Sequence, residues 1–311
     1  MIVIPALHPA HDVIVRVDGL EPGRVQRVGV GAMATGAGGK AVNVALAIAA
    51  MEVPVRLVAC GDAAIHDGLL AHAARHPHLE LIAIPSPVAT RTDIAIVDGG
   101  GRLTVINGTA ADPGPDVIDA VVDRTLDGLA ERDVVVLSGS TPDRTGAAHA
   151  EIAVAAQDRG GRVVVDASGP ALHALLETQP AAVKISADEA DELMRSGDTA
   201  LDRGRPPTLA AVPIVGITDG AGGLRAWLPD GRAVRVTPPP NLPVVATLGA
   251  GDAVTAGLAI AMANGDDPLD GFILGTALAA STLDHLGPSV DRVAADRLRA
   301  GVHVSPLRPR R

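Results

Sequence analysis

Asp133-Val134-Val135-Val136-Leu137-Ser138, Arg162-Val163-Val164-Val165-Asp166 and Ala181-Ala182-Val183-Lys184-Ile185 are three short apolar runs. Each is followed by a helical pattern, at 145–159, 171–177 and 187–195. Unalternating Val-rich runs bounded by Gly, Pro or Asp suit strands buried on both faces of a parallel sheet. The same rhythm extends outward, with strand candidates at 2–6, 55–60 and 212–217 and helical stretches at 40–51, 66–75, 116–130, 251–264, 268–283 and 291–300. Strand–helix alternation over this length predicts an α/β fold, doubly wound, in a single domain spanning 1–311.

Two stretches, 12–36 and 88–108, break the rhythm. They are turn-rich or extended, with period-2 alternation in Thr92-Asp93-Ile94-Ala95-Ile96-Val97-Asp98. They predict antiparallel strands forming a small separate layer, a lid inserted in the core. Asp198 to Pro207 reads as a polar loop and Leu307 to Arg311 as a frayed tail.

The 311 residues are 47% hydrophobic and 20% charged, a globular balance. Aromatic residues are nearly absent: Phe272 and Trp227 stand alone, without tyrosine. The core is therefore aliphatic, and any nucleotide base has to lie between aliphatic side chains. A net charge of -10 argues against general nucleic-acid binding. Cys60 is the only cysteine, which excludes an intrachain disulfide and a cysteine zinc cluster. The N-terminus has no basic region of the signal-peptide kind, and no apolar run reaches the roughly 20 residues of a spanning helix. The expectation is a cytoplasmic protein with no membrane partner.

The run Thr247-Leu248-Gly249-Ala250-Gly251-Asp252 enters a small-residue helix. A helix start offers free N–H groups and a positive dipole end, so it attracts phosphate, and glycines let that phosphate approach the backbone. Asp252 could deprotonate an attacking hydroxyl, which points to phosphoryl transfer; it could equally cap the helix. Gly36-Ala37-Gly38-Gly39-Lys40-Ala41-Val42-Asn43 is a second glycine-rich helix entry. It is not a Walker loop, because Ala41 stands where Ser or Thr is required. Asn43 lies one turn after Gly39, within reach of a ligand over the glycines. The alternative is a flexible loop with a solvent-facing Lys40.

His8-Pro9-Ala10-His11-Asp12 follows the first strand, and its two imidazoles need not converge on a metal. Asp12 is placed to bind sugar hydroxyls. Ser186 and Glu189 fit a capping box, although Glu189 could also hold a magnesium-bound water. Thr218-Asp219-Gly220-Ala221-Gly222-Gly223 is either an ordinary hairpin turn or backbone for a nucleotide phosphate.

In order and spacing these motifs resemble the PfkB-type sugar kinases of the ribokinase-like superfamily, nearest to its 1-phosphofructokinase, tagatose-6-phosphate kinase and minor 6-phosphofructokinase branch. The resemblance covers roughly residues 2 to 300. It rests on Gly38 to Ala45, Ser138-Gly139-Ser140-Thr141-Pro142, Val165 to Gly169 and Thr247 to Asp252. It implies a Rossmann-type αβα sandwich with a β-sheet lid that often mediates dimerisation, and ATP with Mg²⁺ as the donor pair. Asp252 matches the catalytic base, and the backbone of Gly249, Ala250 and Gly251 matches the anion hole. Asp12, Gly38, Gly39, Lys40, Asn43 and Ser140 match the acceptor side. Arg91 matches an arginine that holds a phosphosugar's phosphate, and Arg24 a basic lid residue able to reach the partner subunit's site. Lys184, Thr218, Gly220, Gly223 and His285 match the nucleotide side, and Glu189 the magnesium side through water. Three positions depart from the pattern: Ile185-Ser186 replaces Pro-Asn, His285 replaces an Asn, and Thr104 replaces a second basic lid residue. The resemblance also leaves open an unphosphorylated sugar or nucleoside acceptor, or a non-catalytic sugar-phosphate binder.

Overall fold

A computed structural model describes residues 1–195 and 205–307. Positions 198–204 of the polar loop and 308–311 of the tail lie outside the described residues. Among the described residues the main sheet has ten strands. The first seven in chain order are β1 (Ile2–Ala6), β4 (Val55–Gly61), β5 (Leu79–Pro85), β8 (Val134–Ser138), β9 (Arg162–Asp166), β10 (Ala182–Ser186) and β11 (Ile214–Thr218). They pair in parallel in the order β5-β4-β1-β8-β9-β10-β11. An antiparallel meander of β12 (Leu224–Trp227), β13 (Ala233–Thr237) and β14 (His303–Pro306) completes the edge. The central strands β1 and β8 are buried along their whole length, as their unalternating sequences require.

Helices cover both faces. On one face lie α1 (Lys40–Ala50), α2 (Ala63–Arg75), α7 (Ala250–Asn264), α8 (Pro268–Thr282) and α9 (Arg292–Arg299). On the other lie α3 (Pro115–Leu126), α4 (Ala147–Asp158), α5 (Gly169–Glu177) and α6 (Ala187–Arg195). The small residues of α7 and α8 have a packing reason: a Cβ on Gly257 would lie 2.3 Å from the Gly275 nitrogen. The two helix backbones touch there, which leaves both helices buried on nearly every side.

The four remaining strands form the small second sheet: β2 (Ala10–Arg16), β3 (Met33–Gly38), β6 (Arg91–Val97) and β7 (Leu103–Asn107), in the order β3-β2-β6-β7. The expectation of wholly antiparallel strands is corrected here, because β2 and β6 run parallel while β2–β3 and β6–β7 are antiparallel. Both β2 and β6 leave the main sheet in the same direction, after β1 and β5, so their parallel pairing follows from the layout of the core. The strands β5, β12, β13 and β14 were not legible as runs. Three of them are only four or five residues long, and β5 alternates with Glu80 and ends on Pro85.

Candidate active site

The order of the parallel strands reverses around β1, with β4 on one side and β8 on the other. Ligands of open α/β sheets bind outside the carboxyl ends of the strands at such a switch point. Here the small sheet rises over those ends, and together they enclose a cleft of about 1080 Å³.

Asp252 stands at the floor of the cleft. The N-cap of α7 is Gly249, in the left-handed region at φ 77°, where a Cβ would also collide with Pro288. Asp252 is thus three residues into the helix and not at the cap. Its carboxylate is turned to the acceptor side, where Asn43 Nδ2 on α1 donates to Oδ2 at 2.9 Å. Only 6% of Asp252 is exposed. Burial, then the charge of Asp166, raises its pKa against the pull of Lys40, Lys184 and Asn43. A carboxylate poised in this way is a better base than an ordinary aspartate. Beside it, Gly249, Ala250 and Gly251 line the cleft at the positive end of the helix dipole; the Ala250 N–H donates to the Thr247 carbonyl at 3.4 Å, and that of Gly251 has no intrahelical acceptor.

Asp166 closes β9 and is fully buried. It accepts hydrogen bonds from Lys40 Nζ at 3.0 Å, Lys184 Nζ at 2.8 Å and Thr255 Oγ1 at 2.6 Å. Burial would raise its pKa, but Lys184 and Lys40 with these hydrogen bonds hold it well below the usual carboxylate range. Lys40 also lies 3.8 Å from Glu189. Burial opposes its charge, yet Asp166, Glu189 and Asp252 keep the ammonium above the ordinary lysine range. Lys184 reaches the start of α7, since a Cβ on Gly251 would lie 3.2 Å from its Nζ. Two ammonium groups therefore flank the helix start where a transferring phosphoryl would carry charge. Asp166 had no role assigned from sequence. A lone Asp ending a Val-rich strand was the available signal, but its lysine partners are 126 and 18 residues away.

On the acceptor side, Asp12 from β2, Gly39, Asn43, Arg91 and Ser140 all line the cleft. Burial, then Asp93, pushes the Asp12 carboxyl up to about 6. Gly38 does not line the cleft; it makes room for Asp12, because a Cβ there would sit 2.0 Å from Asp12 Oδ2. Arg91 Nη1 donates to Asp93 at 2.7 Å, while Nε and Nη2 donate to the His8 carbonyl at 3.3 Å. Ser140 Oγ pairs with His8 Nδ1 at 2.8 Å. Asn43 Oδ1, Ser138 Oγ and His8 Nε2 are buried at the cleft without a hydrogen-bond partner. Such atoms are costly unless a ligand completes them, so His8 and Ser138 join the candidate residues that sequence reasoning missed.

At the other end, Thr218, Gly220 and Gly223 line the cleft from the β11–β12 hairpin, so the segment is a hairpin turn that also faces the cleft. The wall beyond them is aliphatic, with Pro239, Leu242, Val244, Ala280 and Leu283. Ser186 and Glu189 form the expected reciprocal capping box, with Glu189 Oε2 accepting from the Ser186 N–H at 2.7 Å. Two expected residues fall elsewhere. His285 pairs with Asp284 at 3.2 Å outside the cleft, whose lining in that segment is Leu283. Arg24 is an exposed residue of the β2–β3 connection, 3.9 Å from Glu21. His8 and His11 diverge, His11 lying 3.6 Å from Asp62. Among the described residues no group of three His, Cys, Asp or Glu could cage a metal ion.

The profile of the pfkB family carbohydrate kinases matches residues 10–293. The chain belongs to the PfkB family. This kinase is 36% identical to the 1-phosphofructokinase of Rhodobacter capsulatus, covering 98% of its own length and 97% of the relative's. It is 29% identical to the 1-phosphofructokinase of Xanthomonas campestris pv. campestris, over 82% of each chain. Among solved structures, phosphofructokinase-2 from Escherichia coli in complex with substrates and products superposes with a TM-score of 0.84 at 20% identity, covering 96% and 98% of the two chains. Ribokinase from Thermotoga maritima superposes at 0.74 with 21% identity, over 96% and 98%. These structural likenesses establish the ribokinase-like αβα fold. Family membership makes the kinase an ATP-dependent carbohydrate phosphotransferase with an alcohol acceptor.

Proposed function

We propose that the kinase phosphorylates a hydroxyl of a sugar phosphate of the fructose phosphate class, with Asp252 as general base. One observation carries this reading. The buried Asp252 carboxylate is held by Asn43 in the same cleft that the start of its own helix, Gly249 to Gly251, lines. The acceptor's hydroxyls meet Asp12, Gly39, Asn43 and Ser140, and its phosphate meets Arg91, whose forked guanidinium suits a phosphate. Asp252 takes the attacking hydroxyl's proton. The backbone of Gly249, Ala250 and Gly251, with Lys40 and Lys184 beside it, neutralises the charge that develops on the transferring group.

Lys184, Thr218, Gly220 and Gly223 face the ATP phosphates, and the aliphatic wall takes the base. Mg²⁺ accompanies the ATP. That ion keeps several waters and is held chiefly by nucleotide phosphates, with Glu189 reaching it through water. The ion would supply charge neutralisation between the phosphates.

The small sheet acts as a lid. Its outer face exposes Met33 and Ile106, which supports a homodimer formed through it. No described helix is long and apolar enough to cross a membrane; the cytoplasm is the location proposed for the enzyme. A second reading, an unphosphorylated sugar as acceptor, is favoured by the Arg91–Asp93 ion pair, which cancels the positive charge at that end. The test is ATP consumption on fructose 1-phosphate, fructose 6-phosphate, tagatose 6-phosphate and the free sugars. A kcat/KM for free sugars equal to or above that for every phosphosugar refutes the first reading.

A further inference from the structure

The acceptor end of the cleft contains an electrostatic conflict. The Arg91 and Asp93 side chains are only 10% and 14% exposed, so solvent does little to weaken their 2.7 Å pair. A guanidinium has five N–H donors. Three point at Asp93 and the His8 carbonyl, which leaves two for a ligand. Asp12 lies directly opposite Asp93 across the parallel β2–β6 pair. With both carboxylates ionised, the group of Arg91, Asp93 and Asp12 carries one net negative charge. A phosphate dianion brought to the two free N–H donors would enter a site already negative.

We propose that Asp93 couples binding of a phosphorylated acceptor to uptake of one proton by the Asp12–Asp93 pair, and so sets how well this cleft accepts an anion. The inference rests on the phosphorylated-acceptor reading above. Both carboxyls are predisposed to it. Burial pushes Asp93 up against the pull of Arg91 and of the Gly108 N–H, and burial with Asp93 pushes Asp12 to about 6.

The surrounding groups do not supply the proton site. On β7 the neighbours are Asn107, in register with Asp93, and the Gly108 N–H. On β3, Gly38 has no side chain. His11 turns away to Asp62. His8 is pushed down to about 4 by burial, Arg91 and Arg144, so it stays neutral above that range. Asp252 adds further negative charge near Asp12. A shared proton on the two carboxylates removes the net negative charge and leaves Arg91 paired with a neutral or hydrogen-bonded partner.

Calorimetric titration without ATP reads this directly. Fructose 1-phosphate and fructose 6-phosphate are titrated at pH 7 to 8.5, where the phosphate monoester is a dianion, in two buffers of different ionisation enthalpy. Wild type is compared with Asp93→Asn and Asp93→Ser, the Asn keeping an acceptor for the Gly108 N–H. The wild type takes up close to one proton, and its Kd rises about tenfold per pH unit, the slope of one linked proton. Asp93→Asn takes up fewer protons and binds at least about tenfold tighter at pH 8.5.

Wild-type binding without proton uptake overturns the inference alone, and this measurement needs neither variant to fold. A variant that retains the full uptake also overturns it, because the uptake then does not depend on Asp93. If neither phosphosugar binds while free sugars are turned over, the phosphorylated-acceptor reading fails and the inference with it.

Discussion

Replacing Asp252 by Asn should make the kinase inactive and more stable at once. The buried carboxylate is charged at neutral pH in a place that disfavours charge. Its pKa rises from an ordinary 3.8 to about 6 through burial and the nearby Asp166. An acid with a raised folded-state pKa destabilises the fold above that pKa. The penalty disappears as pH falls toward the unfolded value, where both states are protonated. About two pKa units at 1.36 kcal/mol each give a penalty on the order of 3 kcal/mol at pH 7.5. The Asn variant lacks this penalty, and its own amide oxygen can still accept from Asn43 Nδ2. Its urea-unfolding free energy should exceed that of wild type by roughly 1–3 kcal/mol at pH 7.5, with the gap closing toward pH 4. In the same samples, coupled ATP-turnover assays should show kcat reduced by about 10²–10⁴-fold, the usual cost of losing a general base. Full activity in the variant would refute the base assignment. A variant less stable than wild type at pH 7.5 would refute the electrostatic argument.

Asp166→Asn leaves the 4% exposed Lys184 ammonium without its carboxylate. It should cost about 3–5 kcal/mol in denaturant unfolding, and the acid limb of the kcat profile should move to lower pH because one charge that raises Asp252 is gone. His149 is fully buried, neither ring nitrogen has a hydrogen-bond partner, and burial holds its pKa at about 4. The unfolded chain therefore binds the extra proton first, and stability should fall by roughly 3 kcal/mol as pH drops from 6.5 to 4. Urea unfolding of His149→Leu across that range should show a shallower decline. Gly38→Ala drives a methyl into Asp12. The acceptor KM should rise at least about tenfold, ~1.4 kcal/mol, with a much smaller change in the KM for ATP in steady-state assays.

The parts of this molecule legible in the sequence are those where one local pattern had one physical outcome. Val134 to Leu137 and Val163 to Val165 are buried on both faces and allow little but central parallel strands. Gly249 before Asp252 marked a helix start, and Gly39 before Asn43 marked another. Features set by meetings of distant segments were not legible. Asp166 gains its role only when β9 brings it between Lys40 and Lys184. The parallel pairing of β2 with β6 depends on two strands about 80 residues apart leaving the same end of the core sheet in the same direction. Arg24 and His285 show the limit of motif order: a long exposed connection and a pairing with Asp284 place both side chains outside the cleft of their own chain.

The near-absence of aromatic residues has a practical consequence. With no tyrosine and a single tryptophan, the near-ultraviolet emission of this kinase comes from Trp227. That ring is 4% exposed on β12, opposite Val215 of β11, with Arg225 6.0 Å from its centroid. Thr218, Gly220 and Gly223 line the cleft from the same hairpin. The native chain thus carries one tryptophan at one known place, buried on the hairpin whose turn lines the cleft, and its emission reports on the packing of that hairpin with no label and no engineered residue.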